Sequence, residues 1–282
     1  MTRLLLRLTR ATLVACAALL VFPILADAIL VAPHALYLSD RQPTGEIFLV
    51  NQSDQAEDVT IDVMFGYPES DSTGEMRIRF EPDPGPELPS AAGWLRAFPR
   101  RLRVPPGRRQ AVRIQATPPA GLPDGEYWSR LVVTSQPARD AALGRGDSVV
   151  RAGIVFELRT VTSIAFRKGA VTTGVRVDSA RATGTGDSVA VWAALTREGN
   201  AAFIGSVSFA LVNGAGETLQ TWGPSPMAVY YGVNRRFALP IEAVPGGNYT
   251  IKLAISTART DIPANVVLPA PPIEHRIPVT LP

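Results

Sequence analysis

Runs in which every second residue is apolar recur from one end of the chain to the other, and no run repeats at the 3.6-residue spacing of a helix. Val59, Ile61, Val63 and Phe65 form one such run; Tyr127, Ser129, Leu131 and Val133 lead another; Tyr249, Ile251, Leu253 and Ile255 make a third. Successive side chains of a strand point to opposite faces, so each run builds a strand with one oily side. Sheets of this kind bury that side against a second sheet. Glycine (23) and proline (25) punctuate the 282 residues densely enough to supply the turns between short strands. Asn213-Gly214-Ala215-Gly216 is one such turn, a hairpin between Val207–Val212 and Thr218–Trp222. With 46% apolar and 19% charged residues the chain has the makings of packed cores, which excludes a disordered polyelectrolyte.

One signature occurs twice. Gly125-Glu126-Tyr127 and Gly247-Asn248-Tyr249 each open an alternating run, 122 residues apart. In immunoglobulin-like sandwiches a tyrosine at the start of a late strand bonds back to the backbone at a corner. The expected fold is therefore all-β: two immunoglobulin-like β-sandwich domains, residues 29–167 and 168–282, joined by a short hinge near Arg167-Lys168-Gly169. Ile29–Leu38 is expected as one strand, and residues 66–92, rich in acids and prolines, as irregular chain.

Residues 1–28 read as an address. Arg3, Arg7 and Arg10 precede the apolar stretch 11–25, and Ala26-Asp27-Ala28 follows with small residues on either side of a cleavage point, after Ala26 or after Ala28. That order is that of a secretory signal peptide. The remainder carries 25 basic and 24 acidic residues, a net charge of +1, which offers nothing to nucleic acid. A single cysteine, Cys16, and two histidines, His34 and His275, leave no set of metal ligands and no recognisable catalytic spacing. No enzyme activity, cofactor, metal or small-molecule substrate is expected. Seven arginines crowd between Arg96 and Arg113; a basic patch for a membrane or a partner is one reading, and the expectation is a solvated strand face whose partners are the acids just upstream, Glu69 to Glu87.

The longest β-leaning run, Val149–Phe166, places Val150, Ala152, Ile154, Phe156 and Leu158 on one face and Arg151, Gly153, Val155, Glu157 and Arg159 on the other. Any half-buried strand shows the same alternation. The first half of the chain resembles, in four ordered pieces, the periplasmic pilus-assembly chaperones of bacteria, the PapD-like family. The pieces are Val31-Ala32-Pro33-His34-Ala35-Leu36; Leu49-Val50-Asn51-Gln52-Ser53-Asp54; Val104-Pro105-Pro106-Gly107 followed by Ala111-Val112-Arg113-Ile114; and Tyr127–Pro137 with the run to Ala165-Phe166-Arg167. Together they cover about residues 29–168. The resemblance implies a periplasmic chaperone that lends an edge strand to secreted or fimbrial-type subunits, with an outer-membrane usher as a further partner. It makes Val150, Ala152, Ile154, Phe156 and Leu158 the donor strand. Such chaperones hold the subunit's terminal carboxylate with an arginine and a lysine, and those positions fall here on Ala35 and Ser163. Arg159 and Arg167 are the candidate replacements. The alternative is a non-catalytic envelope or surface scaffold built from the same two domains.

Overall fold

A computed structural model describes residues 29–138 and 156–282. The leader, and with it the expected cleavage sites, lies outside the described residues. The first sandwich stacks two sheets. One runs in the order β1 (Ile29–Ala32), β3 (Thr44–Asn51), β9 (Arg109–Ala116), β7 (Leu95–Phe98). The other runs β2 (Ala35–Ser39), β11 (Leu158–Lys168), β10 (Gly125–Pro137), β4 (Glu57–Met64), β8 (Arg101–Val104). Ile47, Leu49, Val112 and Ile114 from the first sheet meet Val59, Ile61, Leu131, Val133 and Phe166 from the second in one core. The alternation read from sequence is what fills it.

Ile29–Leu38 is two strands rather than one. The chain leaves the first sheet at the cis Ala32–Pro33 bond and enters the second at Ala35. β2 then pairs with β11 in parallel, Ala35 opposite Ser163 through Ser39 opposite Arg167. Proline at the crossing removes a backbone donor where the ladder is interrupted in any case.

The second sandwich is built from β12 (Thr173–Gly184), β13 (Ser188–Gly199) and β16 (Gly232–Pro240) on one side. The other side is β15 (Thr218–Val229), β14 (Phe203–Val212), β17 (Gly247–Ser256) and β18 (Ile273–Leu281). Val189, Val191, Leu195, Leu211, Leu253 and Ile277 lie at its centre. The hairpin turn forms as expected, with the Asn213 Oδ1 accepting from the Ala215 and Glu217 amides. Both tyrosine corners form too. The Tyr127 hydroxyl donates to the Pro123 carbonyl at 2.9 Å and the Tyr249 hydroxyl to the Pro245 carbonyl at 2.8 Å.

Residues 66–92 are not irregular throughout. β5 (Gly66–Ser70) and β6 (Met76–Phe80) form a hairpin that leaves the first sandwich and lies against the second. The Asn234 amide donates to the Ser70 hydroxyl and the Arg236 amide to the Gly74 carbonyl, while Met76 packs on the second core. Asp71 shapes the tip, accepting from the Thr73 hydroxyl and the Thr73 and Glu75 amides. A third apolar cluster joins the sandwiches. Trp128 is its hub, with its ring 4.7 Å from that of Tyr230 and 5.3 Å from that of Tyr231, backed by Phe65 and Ala202.

Candidate functional site: an open strand edge leading into the domain junction

β11 is paired along its whole length with β10, from Leu158 opposite Ser135 to Lys168 opposite Gly125. On its other side β2 covers only Ser163 to Arg167. Opposite residues 158–162 no described strand pairs with it, because the chain before Ala35 has crossed to the other sheet. The result is a sheet edge that changes from open to closed at Ser163. An open edge presents unpaired amides and carbonyls in a row, a template for another strand. Phe156, just before β11, is 79% exposed and Leu158 is 43% exposed. On the same side of the strand, Ile164 and Phe166 are core residues. Thr160 and Thr162 lie between them on that side, so the face passes from the core through two threonines to the apolar pair at the open edge.

Of the five residues expected on the donor face, Phe156 and Leu158 are described and stand free of the core; Val150, Ala152 and Ile154 lie outside the described residues. Ala35 and Ser163 face one another across the β2–β11 pair, and both line a cleft of about 240 Å³ between the sandwiches. Its walls are mostly apolar: Leu36 and Ile78 from the first sandwich, Ile204, Ala228 and Pro263 from the second.

A buried cation in this cleft is one that the sequence did not single out. Arg130 projects from β10 and is only 5% exposed. Its Nε donates to the Gly66 carbonyl at 3.0 Å, and its Nη1 is hydrogen-bonded to the Ser163 hydroxyl. Its guanidinium carbon lies 5.1 Å from the centre of the Tyr230 ring. The Nη2 is buried and has no hydrogen-bond partner among the described residues. A buried guanidinium without a carboxylate is costly unless something completes its hydrogen bonds.

Arg167 is engaged elsewhere. Its Nε donates to Glu126 Oε2 at 2.8 Å and its Nη1 to the Val266 carbonyl at 2.6 Å. The Glu126 Oε1 accepts from the Trp128 indole and from the Ala202 amide of the second sandwich. Beside this pair sits Tyr37, whose hydroxyl is pushed up to about 12 by burial first, and then by the neighbouring Tyr230 and Glu126. Arg159 is exposed on the open part of β11. Arg259 reaches the same cleft from the second sandwich but is held by Asp261, whose carboxyl it keeps below the usual range. The signal that Arg130 differs from a surface arginine is the burial of β10 on both faces. Its alternation declares one face only, and the other is covered by an element far off in sequence, the β5–β6 hairpin and the second sandwich behind it.

No protein-family model matches the sequence, and no curated protein matches it. Among solved structures, the chain is similar to the YadV chaperone, at 13% identity and a TM-score of 0.42, over 88% of this chain and 98% of that one. It is similar to the CsuC–CsuE chaperone–tip adhesion subunit pre-assembly complex of archaic chaperone–usher Csu pili of Acinetobacter baumannii, at 13% identity and 0.44, over 90% and 99%. It is similar to the Salmonella enterica SafA pilin in complex with the SafB chaperone, at 12% identity and 0.42, over 88% and 95%. Overlays this distant say nothing by themselves about function.

Proposed function

We propose that the chain is an exported, periplasmic chaperone that binds secreted or fimbrial-type subunits by strand pairing on the open edge of β11. In this reading residues 1–28 are its leader, and Val150, Ala152, Ile154, Phe156 and Leu158 supply the oily face. The observation that carries the reading is the half-covered edge: β2 closes β11 from Ser163 onward and leaves 158–162 open, with Phe156 and Leu158 exposed beside it. A guest strand satisfies that edge with main-chain hydrogen bonds and takes the alternate apolar side chains into its own gap.

The same geometry gives the guest a direction. β2 is parallel to β11, so a guest that continues the line of β2 along residues 158–162 runs parallel as well and ends near Ala35. Its terminal carboxylate then arrives at the mouth of the cleft, within reach of the Arg130 Nη2. Arg130 thus serves in place of the two positions occupied by Ala35 and Ser163, and Ser163 orients it. A charge-assisted hydrogen bond of this kind contributes about 1.5–3 kcal/mol.

Leu158→Asp combined with Phe156→Asp is expected to abolish co-purification of a small β-rich subunit from a periplasmic extract while leaving the far-ultraviolet spectrum unchanged. For the anchor, the probe is a short strand-forming peptide of alternating valine and threonine. Amidating its C-terminus is expected to weaken binding about tenfold to a hundredfold in the parent chain and not at all in Arg130→Met. Normal capture by the double aspartate variant overturns strand pairing; an equal amidation effect in both proteins overturns the role of Arg130 alone.

A further inference from the structure

The arginine-rich stretch takes no part in the cleft or the open edge. We propose that the outer face of the β1-β3-β9-β7 sheet is a docking surface for a membrane carrying anionic phospholipid. On this sheet the core-facing residues alternate with outward ones. Leu30 and Phe48 come from β1 and β3, Arg109 and Arg113 from β9, Arg96 and Phe98 from β7. Register sets them side by side: Leu30 opposite Val50, Val50 opposite Arg109, and Arg113 between Glu46 and Phe98. Phe98 is 54% exposed and Leu30 45%. The Arg109 guanidinium lies 3.6 Å over the Phe48 ring.

The expectation that these arginines are neutralised by the acids upstream is not met. Glu69 and Glu81 pair with Arg77 and Arg79 inside the β5–β6 hairpin. Asp62 and Asp58 of β4 hold Arg100 and Arg103. Among the described residues Arg96, Arg101, Arg108, Arg109 and Arg113 have no ion-pair partner, and Glu46 is the one acid on the outer face of this sheet. The wider charge balance shows the same segregation. Residues 96–113 hold seven arginines and no acid, which leaves 18 basic against 24 acidic residues in the rest of 29–282, a net of −6.

A basic sheet face with bulky apolar side chains set between guanidiniums complements a layer of anionic headgroups over hydrocarbon. The guanidiniums meet phosphate, and Phe98, Leu30 and Phe48 enter the boundary beneath. A folded protein partner would bind with an affinity set by its own complementary surface rather than by the anionic lipid content of a vesicle.

The test is flotation of the full chain with vesicles of phosphatidylcholine alone or with phosphatidylglycerol added. The first composition subtracts whatever the apolar stretch 11–25 contributes, and comparison of the two triple-serine variants below subtracts what Arg3, Arg7 and Arg10 contribute. The chain is expected to prefer the anionic vesicles and to be released by high salt. At roughly fivefold per arginine near a membrane surface, Arg96→Ser, Arg109→Ser and Arg113→Ser together should cost on the order of a hundredfold in that preference. The same three positions changed to lysine should keep it. Arg176→Ser, Arg181→Ser and Arg276→Ser remove equal charge from the second sandwich and should leave it nearly intact. Equal binding to both vesicle types overturns the proposal. So does a loss in the second-sandwich variant as large as in the first, since net charge rather than this face would then be responsible.

Discussion

Glu126 accepts hydrogen bonds from three directions inside the domain junction: Arg167 on β11, the Trp128 indole, and the Ala202 amide of the second sandwich. Its side chain is 1% exposed and that of Arg167 14%. Removing one partner of such a pair strands the other charge away from water. Glu126→Ala is expected to destabilise the protein by about 3–5 kcal/mol, read from the urea midpoint. Tyr37 and Tyr231 sit at the same junction, and burial holds both hydroxyls up to about 12 from an ordinary value of 10.0. An acid whose folded value is raised binds its proton more tightly when folded. Its contribution is fully present below pH 10 and is lost as pH rises toward 12. An ultraviolet titration should show Tyr37 and Tyr231 among the late-titrating tyrosines, and thermal stability should fall across that window. Phe substitution at both positions should flatten the fall.

Among the elements, most strands were legible because their oily residues alternate and face one side. Tyr249 to Ile255 and Val59 to Val63 are core strands as their pattern says, while Phe65 lies past the end of β4 in the junction cluster, and the two Gly-x-Tyr corners were visible as a repeated triplet. What the sequence hid depends on contacts between segments far apart in the chain. β5 carries no clean alternation; β6 does, with Met76, Ile78 and Phe80 set against Arg77 and Arg79, but it is short and its partner surface is the other sandwich rather than its own core. The β1–β2 switch hid inside one continuous apolar stretch. Arg130 was hidden for the same reason as the hairpin that helps to bury it. The hairpin tip offers its own test. Gly74 has φ of +80°, and a Cβ there would stand 2.6 Å from the Arg236 amide nitrogen. Gly74→Ala is expected to cost about 1–3 kcal/mol and to lift the tip from β16, seen as faster amide exchange at Asn234 and Arg236 with the first-sandwich core unchanged.

For the molecule as a whole, the junction decides whether the two sandwiches behave as one body. Trp128 packs edge-to-face with Tyr230 and Tyr231, and the Glu126 network and the hairpin flank it. Trp128→Ala removes the largest side chain of that cluster and is expected to cost about 3–5 kcal/mol. The cost falls on the interface, so calorimetry should resolve two melting transitions where the parent chain shows one. The cleft beside it takes lining from both sides, Ala35 and Ser163 from one sandwich and Ile204 and Ala228 from the other. An occupant therefore works as a keystone. By linkage it stabilises only the geometry in which both walls meet it. A molecule with the cleft filled should scatter X-rays as a narrower ensemble than one with it empty.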